Sequence, residues 1–154
     1  MSVEINDKEV RALLTRLEGL GRGGLNHALK NIGETMLLSV QDNFAKQGRP
    51  QKWAGLSMMT RRMRKAVGKW GDINNPLDGN ILQQTGKLLH SINYRLLPDG
   101  VSIGTADVRA PLLHGGGINE KGFKVPARPF IMFQEPIDVE KVKNIIQAEI
   151  TKVL

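Results

Sequence analysis

The stretch Val125-Pro126-Ala127-Arg128-Pro129-Phe130 decides the fold of the second half of the chain. A proline ring fixes φ, removes a backbone donor and disfavours helix in the residue before it. Arg128 is therefore predicted to lie between two stiffened turns, where an extended entry leads into the apolar run 130–133. Two roles stay open for its guanidinium: it caps carbonyls of a neighbouring element, or it meets a carboxylate of another subunit. The structural role is slightly favoured.

Working outward, helical spacing of apolar residues predicts three main helices. The first follows a capping box at 6–9 and stops by Gly19, the second runs from about Leu25 to Phe44, and the third begins near Asp138. Shorter helical segments are predicted after Ser57, which can cap a helix carrying an arginine cluster, after Gly86, and at 110–113. Residues 68–79, with Asn74-Asn75-Pro76, are predicted to form a mobile loop.

Strand-like composition appears between these helices. Residues 91–97 and 101–105 are predicted to pair through the turn Pro98-Asp99-Gly100, and 123–125 and 130–133 are further strand candidates. The order favours an α+β fold, because nothing alternates in the manner of a parallel βαβ sheet. The chain is predicted to be one domain, 1–154, with N-terminal helices (1–45), a protruding basic helical arm and loop (46–80), a sheet region (81–137) and a C-terminal helix (138–154).

Composition limits the classes of protein that fit. The 154 residues include no cysteine, which excludes disulfides and thiolate metal sites. No apolar stretch approaches the roughly 20 residues of a membrane span, and the N-terminal residues lack signal-peptide character. A cytoplasmic protein with no membrane partner is therefore expected.

The net charge of +7 is concentrated in one segment. Residues 43–71 contain eight basic residues and no acidic one. The rest of the chain has 14 basic and 15 acidic residues and is therefore almost neutral. Such a local excess is typical of a binding face or arm. Contact with a protein, a solvated surface and contact with nucleic acid stay open, in that order of preference. The predicted partner-binding residues are Arg49, Lys52, Trp53, Arg61, Arg62, Arg64, Lys65 and Arg128.

Three patterns resemble nucleotide-binding, esterase or metal and acid–base sites, but each lacks a feature that such a site requires. The glycines at 19–24 match a dinucleotide fingerprint, but a helix is predicted before them where a strand is required. His114-Gly115-Gly116-Gly117 is similar to an esterase oxyanion loop, yet the chain has no Gly-x-Ser-x-Gly nucleophile turn. The carboxylates are scattered, and His27 and His90 lie far apart without acids at ligand spacing. No enzyme, cofactor or metal site is predicted, and His114 is interpreted as a satisfied turn residue or a contact between subunits.

An ordered series of short motifs leads up to the proline-flanked arginine. It comprises Trp53-Ala-Gly-Leu56-Ser57-Met-Met-Thr60, Ile81-Leu82-Gln-Gln-Thr85-Gly86-Lys-Leu88, Val101-Ser-Ile-Gly104-Thr105 and Leu113-His114-Gly115-Gly116. In this order and spacing, across residues 44–150, the chain resembles the virion morphogenesis (tail completion) family of tailed phages, found in Mu-like phages and prophages. It departs from that family at Val108-Arg109-Ala110-Pro111, where an aromatic residue followed by alanine is expected.

The resemblance implies a small sheet with a long helix packed across one face. It also implies a non-enzymatic protein for tail completion and head–tail joining, located at the neck of the virion and, during assembly, in the host cytoplasm. Such a protein works as a ring, with a hexamer among the candidates, and meets a tail terminator, tail tube or head connector. Charge reversal at Arg61, Arg62 and Arg64 is then expected to leave the monomer folded but to block incorporation. The alternative is a small nucleic-acid-binding protein that uses residues 46–69.

Overall fold

The structure, a computed structural model, describes residues 2–3, 8–19, 21–66 and 80–153. For residues 2, 3, 22, 24, 65, 66 and 153 it describes the backbone alone. Asn6 and Asp7 of the predicted capping box, and the whole predicted loop 68–79, lie outside the described residues. In chain order the described elements are β1 (Ser2–Val3), α1 (Lys8–Gly19), α2 (Arg22–Ala45), α3 (Met58–Ala66), α4 (Lys87–Ser91), β2 (Ile92–Leu97), β3 (Gly100–Thr105), α5 (Ala110–Gly115), β4 (Gly117–Ile118), β5 (Lys124–Val125) and α6 (Ile137–Val153). The α+β class is confirmed.

Contacts divide the chain into two compact units. The first unit comprises residues 1–40, 92–105 and 131–154, and the second comprises 41–91 and 106–130. Helix α2 supplies residues to both, with the division after Val40.

The first unit contains a three-stranded antiparallel sheet in the order β1-β3-β2. The hairpin predicted at Pro98-Asp99-Gly100 is present, with Leu97 opposite Gly100 and Tyr94 opposite Ile103. Burial on one face of β2 decreases along the strand: Ile92 is buried, Tyr94 is half-buried and Leu96 is exposed.

Helices α1, α2 and α6 complete the first unit. The apolar stripe of α1 buries Val10 and Leu17, and α1 contacts α6, where Lys143 forms an ion pair with Glu9. A Cβ on Gly33 of α2 would lie 2.4 Å from Cδ2 of Tyr94, so the helix approaches β2 at a distance that only glycine allows. The fully buried apolar side chains here are Leu17, Ala28, Leu29, Met36, Val40, Ile103, Ile131, Val142, Ile146 and Ile150.

The start of α6 is fixed by a buried carboxylate. Asp138 has no exposed surface and accepts hydrogen bonds from the Ser39 hydroxyl (2.6 Å), the Gln134 N–H (2.9 Å) and the Lys141 ammonium (3.1 Å). Burial opposes ionisation of this carboxyl, but the three donors outweigh it and hold its pKa below the ordinary value.

The second unit has a small aromatic core. Phe44, from the end of α2, lies edge-on to Trp53 with ring centroids 5.4 Å apart, and 5.6 Å from the ring of Phe130. Three short helices (α3, α4 and α5) and the two-stranded β4–β5 ladder belong to this unit. The helical segments predicted after Ser57, after Gly86 and at 110–113 are all confirmed.

The predicted strand at 130–133 is wrong. Phe130 and Ile131 are buried as the apolar run requires, but side chains rather than a neighbouring strand satisfy this backbone. The amide of Asn43 donates to the carbonyls of Pro129 (3.1 Å) and Phe130 (3.0 Å), and the Phe130 N–H donates to Nδ1 of His114 (3.3 Å). The other strand candidate, 123–125, is reduced to Lys124–Val125.

Candidate interaction surface

Arg128 forms a clamp on the segment that precedes α3. Its side chain is buried, and its guanidinium donates to the carbonyl of Ala54 through Nε (3.0 Å) and to that of Gly55 through a terminal nitrogen (3.2 Å). Its backbone N–H contacts the carbonyls of Leu113 and His114, each at 3.1 Å. Burial, and then the nearby charge of Arg64, lowers the pKa of Arg128. These contacts agree with the structural one of its two predicted roles.

Trp53 forms the second anchor of this segment. Its indole N–H donates to the carbonyl of Pro129 (3.0 Å), and its backbone N–H donates to the carbonyl of Gln47 (2.8 Å). Gly48 has φ near +110°, and a Cβ there would lie 2.5 Å from the Trp53 nitrogen, so this turn requires glycine. Trp53 is therefore an anchor within the second unit, buried to 7% exposure.

Helix α3 begins at the predicted cap, since the Ser57 hydroxyl accepts from the Thr60 N–H at 3.2 Å. Its apolar side chains do not enter the core. Met58, Met59 and Met63 are 68%, 67% and 63% exposed, and they form what we call the methionine face. A soluble helix normally turns such a face inward.

The three arginines of α3 differ in exposure. Arg62 is exposed on the same side as the methionines, whereas Arg61 and Arg64 are half-buried. Arg64 donates to the carbonyl of Asn80 (3.2 Å), and burial lowers its pKa. The helix therefore presents three methionines and Arg62 to solvent, while Arg61 and Arg64 lie partly against its own unit.

The remaining predicted contact residues also differ in solvent exposure. Arg49 donates to the Asp42 carboxylate at 2.9 Å with its side chain only 9% exposed. Lys52 is exposed and donates to the carbonyl of Lys46. Lys65 belongs to α3, but its side chain lies outside the described part. Among the predicted residues whose side chains are described, Lys52 and Arg62 are the exposed ones.

His114 holds a turn in place. Its Nδ1 accepts from the Phe130 N–H, its ring lies edge-on to Phe130 with centroids 5.1 Å apart, and burial lowers its pKa. At Gly116, φ is near +74° and a Cβ would lie 2.7 Å from the Ala127 nitrogen. His114 and Gly116 therefore help to position the residues on either side of Arg128. Within the described residues, no group of three His, Asp or Glu side chains could hold a metal ion.

The first unit carries a different surface feature, an apolar cavity of about 560 Å³. Its partly exposed apolar lining comes from Leu14, Leu97, Val101 and Phe133, and the buried side chains of Leu29, Ile32, Met36 and Ile103 lie beneath. Its polar lining residues, Arg11, Thr15, Glu18 and Asp99, are exposed. The cavity therefore has an apolar floor and a charged mouth.

Sequence reasoning missed two features of these surfaces. Asn43 is a polar residue one position before Phe44 in the apolar stripe of α2, a departure that could have marked it as a buried donor. The helical spacing of the methionines is visible in the sequence, but the sequence does not show that they face solvent.

Comparison with known proteins gives one match. The model of the phage virion morphogenesis family matches residues 5–151, nearly the whole chain. No curated protein and no solved structure matches it significantly. In the part of the chain that the structure describes, no helix is long and apolar enough to cross a membrane.

Proposed function

The chain belongs to the phage virion morphogenesis family, a virion-associated structural or assembly protein of a bacteriophage, and from that premise we propose that it completes the tail and joins it to the head. In this proposal it acts at the neck of the particle by binding proteins, as a ring of subunits. It is made in the host cytoplasm and meets a tail terminator, the tail tube or a head connector.

The exposed methionine face is the single observation that carries the proposal. Met58, Met59 and Met63 lie in solvent on a helix whose base is held by Arg128 and Trp53. Contiguous exposed apolar side chains are typical of surfaces that bind a partner. A rigid base favours binding, because less conformational freedom is lost when the partner docks.

Charge adds a second argument, for a protein partner that presents an acidic surface to this segment. The segment 43–71 has no acidic residue, and Lys46, Lys52 and Arg62 are its exposed described cations. Complementary charge speeds and orients docking, whereas affinity comes from buried apolar contacts. The methionines would then supply the affinity and the cations the orientation.

The test is to inactivate the gene in the phage that encodes this chain and to examine the lysate by electron microscopy. We expect separate filled heads and unjoined tails, with joined particles restored when the intact gene is supplied on a plasmid. Normal particles from the inactivated phage would overturn the proposal.

The nucleic-acid alternative makes a different prediction for the purified protein. Binding through several phosphates would weaken by orders of magnitude between about 50 and 200 mM salt. Tight duplex binding that shows this salt dependence, together with normal head–tail joining in the inactivated phage, would favour the alternative.

A further inference from the structure

Two surfaces of this chain have complementary chemistry, and they lie on different units. The methionine face belongs to the second unit and the apolar cavity to the first. One offers exposed thioether side chains, and the other offers an open apolar recess. Neither surface is explained by the folding of its own unit.

The shapes of the two surfaces are suited to each other. A methionine side chain is unbranched and flexible, so it fills irregular apolar space that a branched side chain cannot follow. The cavity, of about 560 Å³, is in the size range of sites that hold a drug-sized molecule, and Leu14, Leu97, Val101 and Phe133 offer partly exposed apolar surface in it. Several methionine side chains from one helix would find room there.

The charges are also complementary. Helix α3 contains four basic residues and no acidic one, and Arg62 lies exposed beside the methionines. The cavity mouth has two carboxylates, Glu18 and Asp99, and one guanidinium, Arg11. A cationic helix that enters this mouth would meet a small excess of negative charge.

We propose that the methionine face of one copy docks in the apolar cavity of the next copy. The inference rests on the proposed function, because it specifies how the ring would be joined. Since the two surfaces are different patches, the contact is head-to-tail, and repeating such a contact generates a ring when the rotation closes. The occupant of the cavity is therefore α3 of a second copy.

The absence of cysteine from the chain allows a direct test. Met63→Cys places a single thiol on the methionine face, and Asp99→Cys places one at the cavity mouth; both positions are exposed. The two variants are mixed and treated with a short bismaleimide cross-linker. Because each chain has one thiol, a covalent pair that contains both variants can form only between copies.

We expect the mixture to give cross-linked pairs in several-fold greater yield than either variant alone gives of its own, and a chain carrying both substitutions to give a ladder of higher multimers. Phe123→Cys is the matched control, because Phe123 is another exposed apolar residue, 61% exposed, outside α3. A mixture of Phe123→Cys with Asp99→Cys should give only the background yield. Yields that do not differ between the two mixtures, or no mixed pair in either, would overturn the proposal.

A second measurement uses no cross-linker. In sedimentation velocity the unsubstituted protein should show oligomers at high concentration, and Met59→Glu/Met63→Glu should remain monomeric with an unchanged circular dichroism spectrum. Oligomers that survive this double substitution would also overturn the docking contact. If cross-linking fails while the inactivated phage still yields unjoined heads and tails, the docking contact is wrong and the assembly function stands.

Discussion

The guanidinium Nε of Arg128 lies 3.0 Å from the carbonyl oxygen of Ala54, four residues before α3 begins. The proline-flanked arginine, the most distinctive point of the sequence, is thus joined to the segment that presents the methionine face. A residue 74 positions away in sequence holds the base of α3 in place. The predictions below test this arrangement and the packing that surrounds it.

Arg128→Lys should destabilise the protein by about 2–3 kcal/mol, because a lysine keeps the charge but loses the planar fork that reaches two carbonyls. Urea unfolding measures the loss, and hydrogen exchange should show faster exchange in α3. Arg62→Lys is the control, since Arg62 is exposed on the same helix. Equal stability of the two variants would show that the clamp contributes nothing.

Asn43→Asp should be strongly destabilising. The substitution keeps the shape but replaces the amide, which donates to two carbonyls, with an acceptor at a site with no exposure. The buried carbonyl of Phe130 loses its donor, at a cost of about 1–3 kcal/mol, whereas the carbonyl of Pro129 keeps the indole N–H of Trp53. Asn144→Asp, on the exposed side of α6, should stay within about 0.5 kcal/mol of the parent in the same chemical unfolding assay.

Gly33→Ala tests the close approach of α2 to β2. Alanine normally stabilises a helix interior by about 1 kcal/mol relative to glycine. Here the added methyl group would overlap the Tyr94 ring, so we expect a loss of about 1–3 kcal/mol in the free energy of unfolding.

A double-mutant cycle provides the control for that prediction. In a Tyr94→Ala background the ring is gone, and Gly33→Ala should become neutral or stabilising. A substitution that costs the same in both backgrounds would place the strain elsewhere.

His114 should make stability depend on pH near neutrality. Burial lowers the pKa of His114. At pH values above the ordinary histidine pKa of about 6.5, the ring is neutral in both the folded and the unfolded chain, so it does not reduce the free energy of unfolding. As the pH falls, the unfolded chain takes up the proton first, and the folded state loses stability.

His114→Asn removes this titration while keeping an acceptor for the Phe130 N–H. The free energy of unfolding should therefore fall more steeply between pH 7 and pH 5 in the unsubstituted protein than in this variant. Parallel curves would mean that His114 is not the group responsible.

Local sequence rules predicted most of the secondary structure. The apolar periods of α1, α2 and α6, the Ser57 cap and the Pro98-Asp99-Gly100 turn each depend on neighbouring residues, and each is confirmed. The strand at 130–133 failed because the partners of its backbone, Asn43 and His114, are distant in sequence. Composition alone cannot tell a buried strand from a buried irregular segment that side chains satisfy.

Which side chains of α3 face solvent could not be predicted from the sequence. The sequence places four basic residues and three methionines on α3, and a charged exposed face was the natural interpretation. Instead Arg61 and Arg64 are half-buried, and Arg64 donates to the carbonyl of Asn80 in the same unit. Charge reversal at Arg61, Arg62 and Arg64 together would now be expected to disturb folding as well as docking. Arg62 is the position at which charge can be tested separately.

The central claim is that the methionine face makes the contact on which particle assembly depends. The most direct measurement is the titre of the gene-inactivated phage when it is complemented by Met59→Glu/Met63→Glu, beside Ile118→Glu as a control on an exposed apolar residue outside α3. With both variants folded and equally abundant, we predict a titre reduced by at least tenfold for the methionine variant and an unchanged titre for the control. Wild-type titre from Met59→Glu/Met63→Glu would contradict the account.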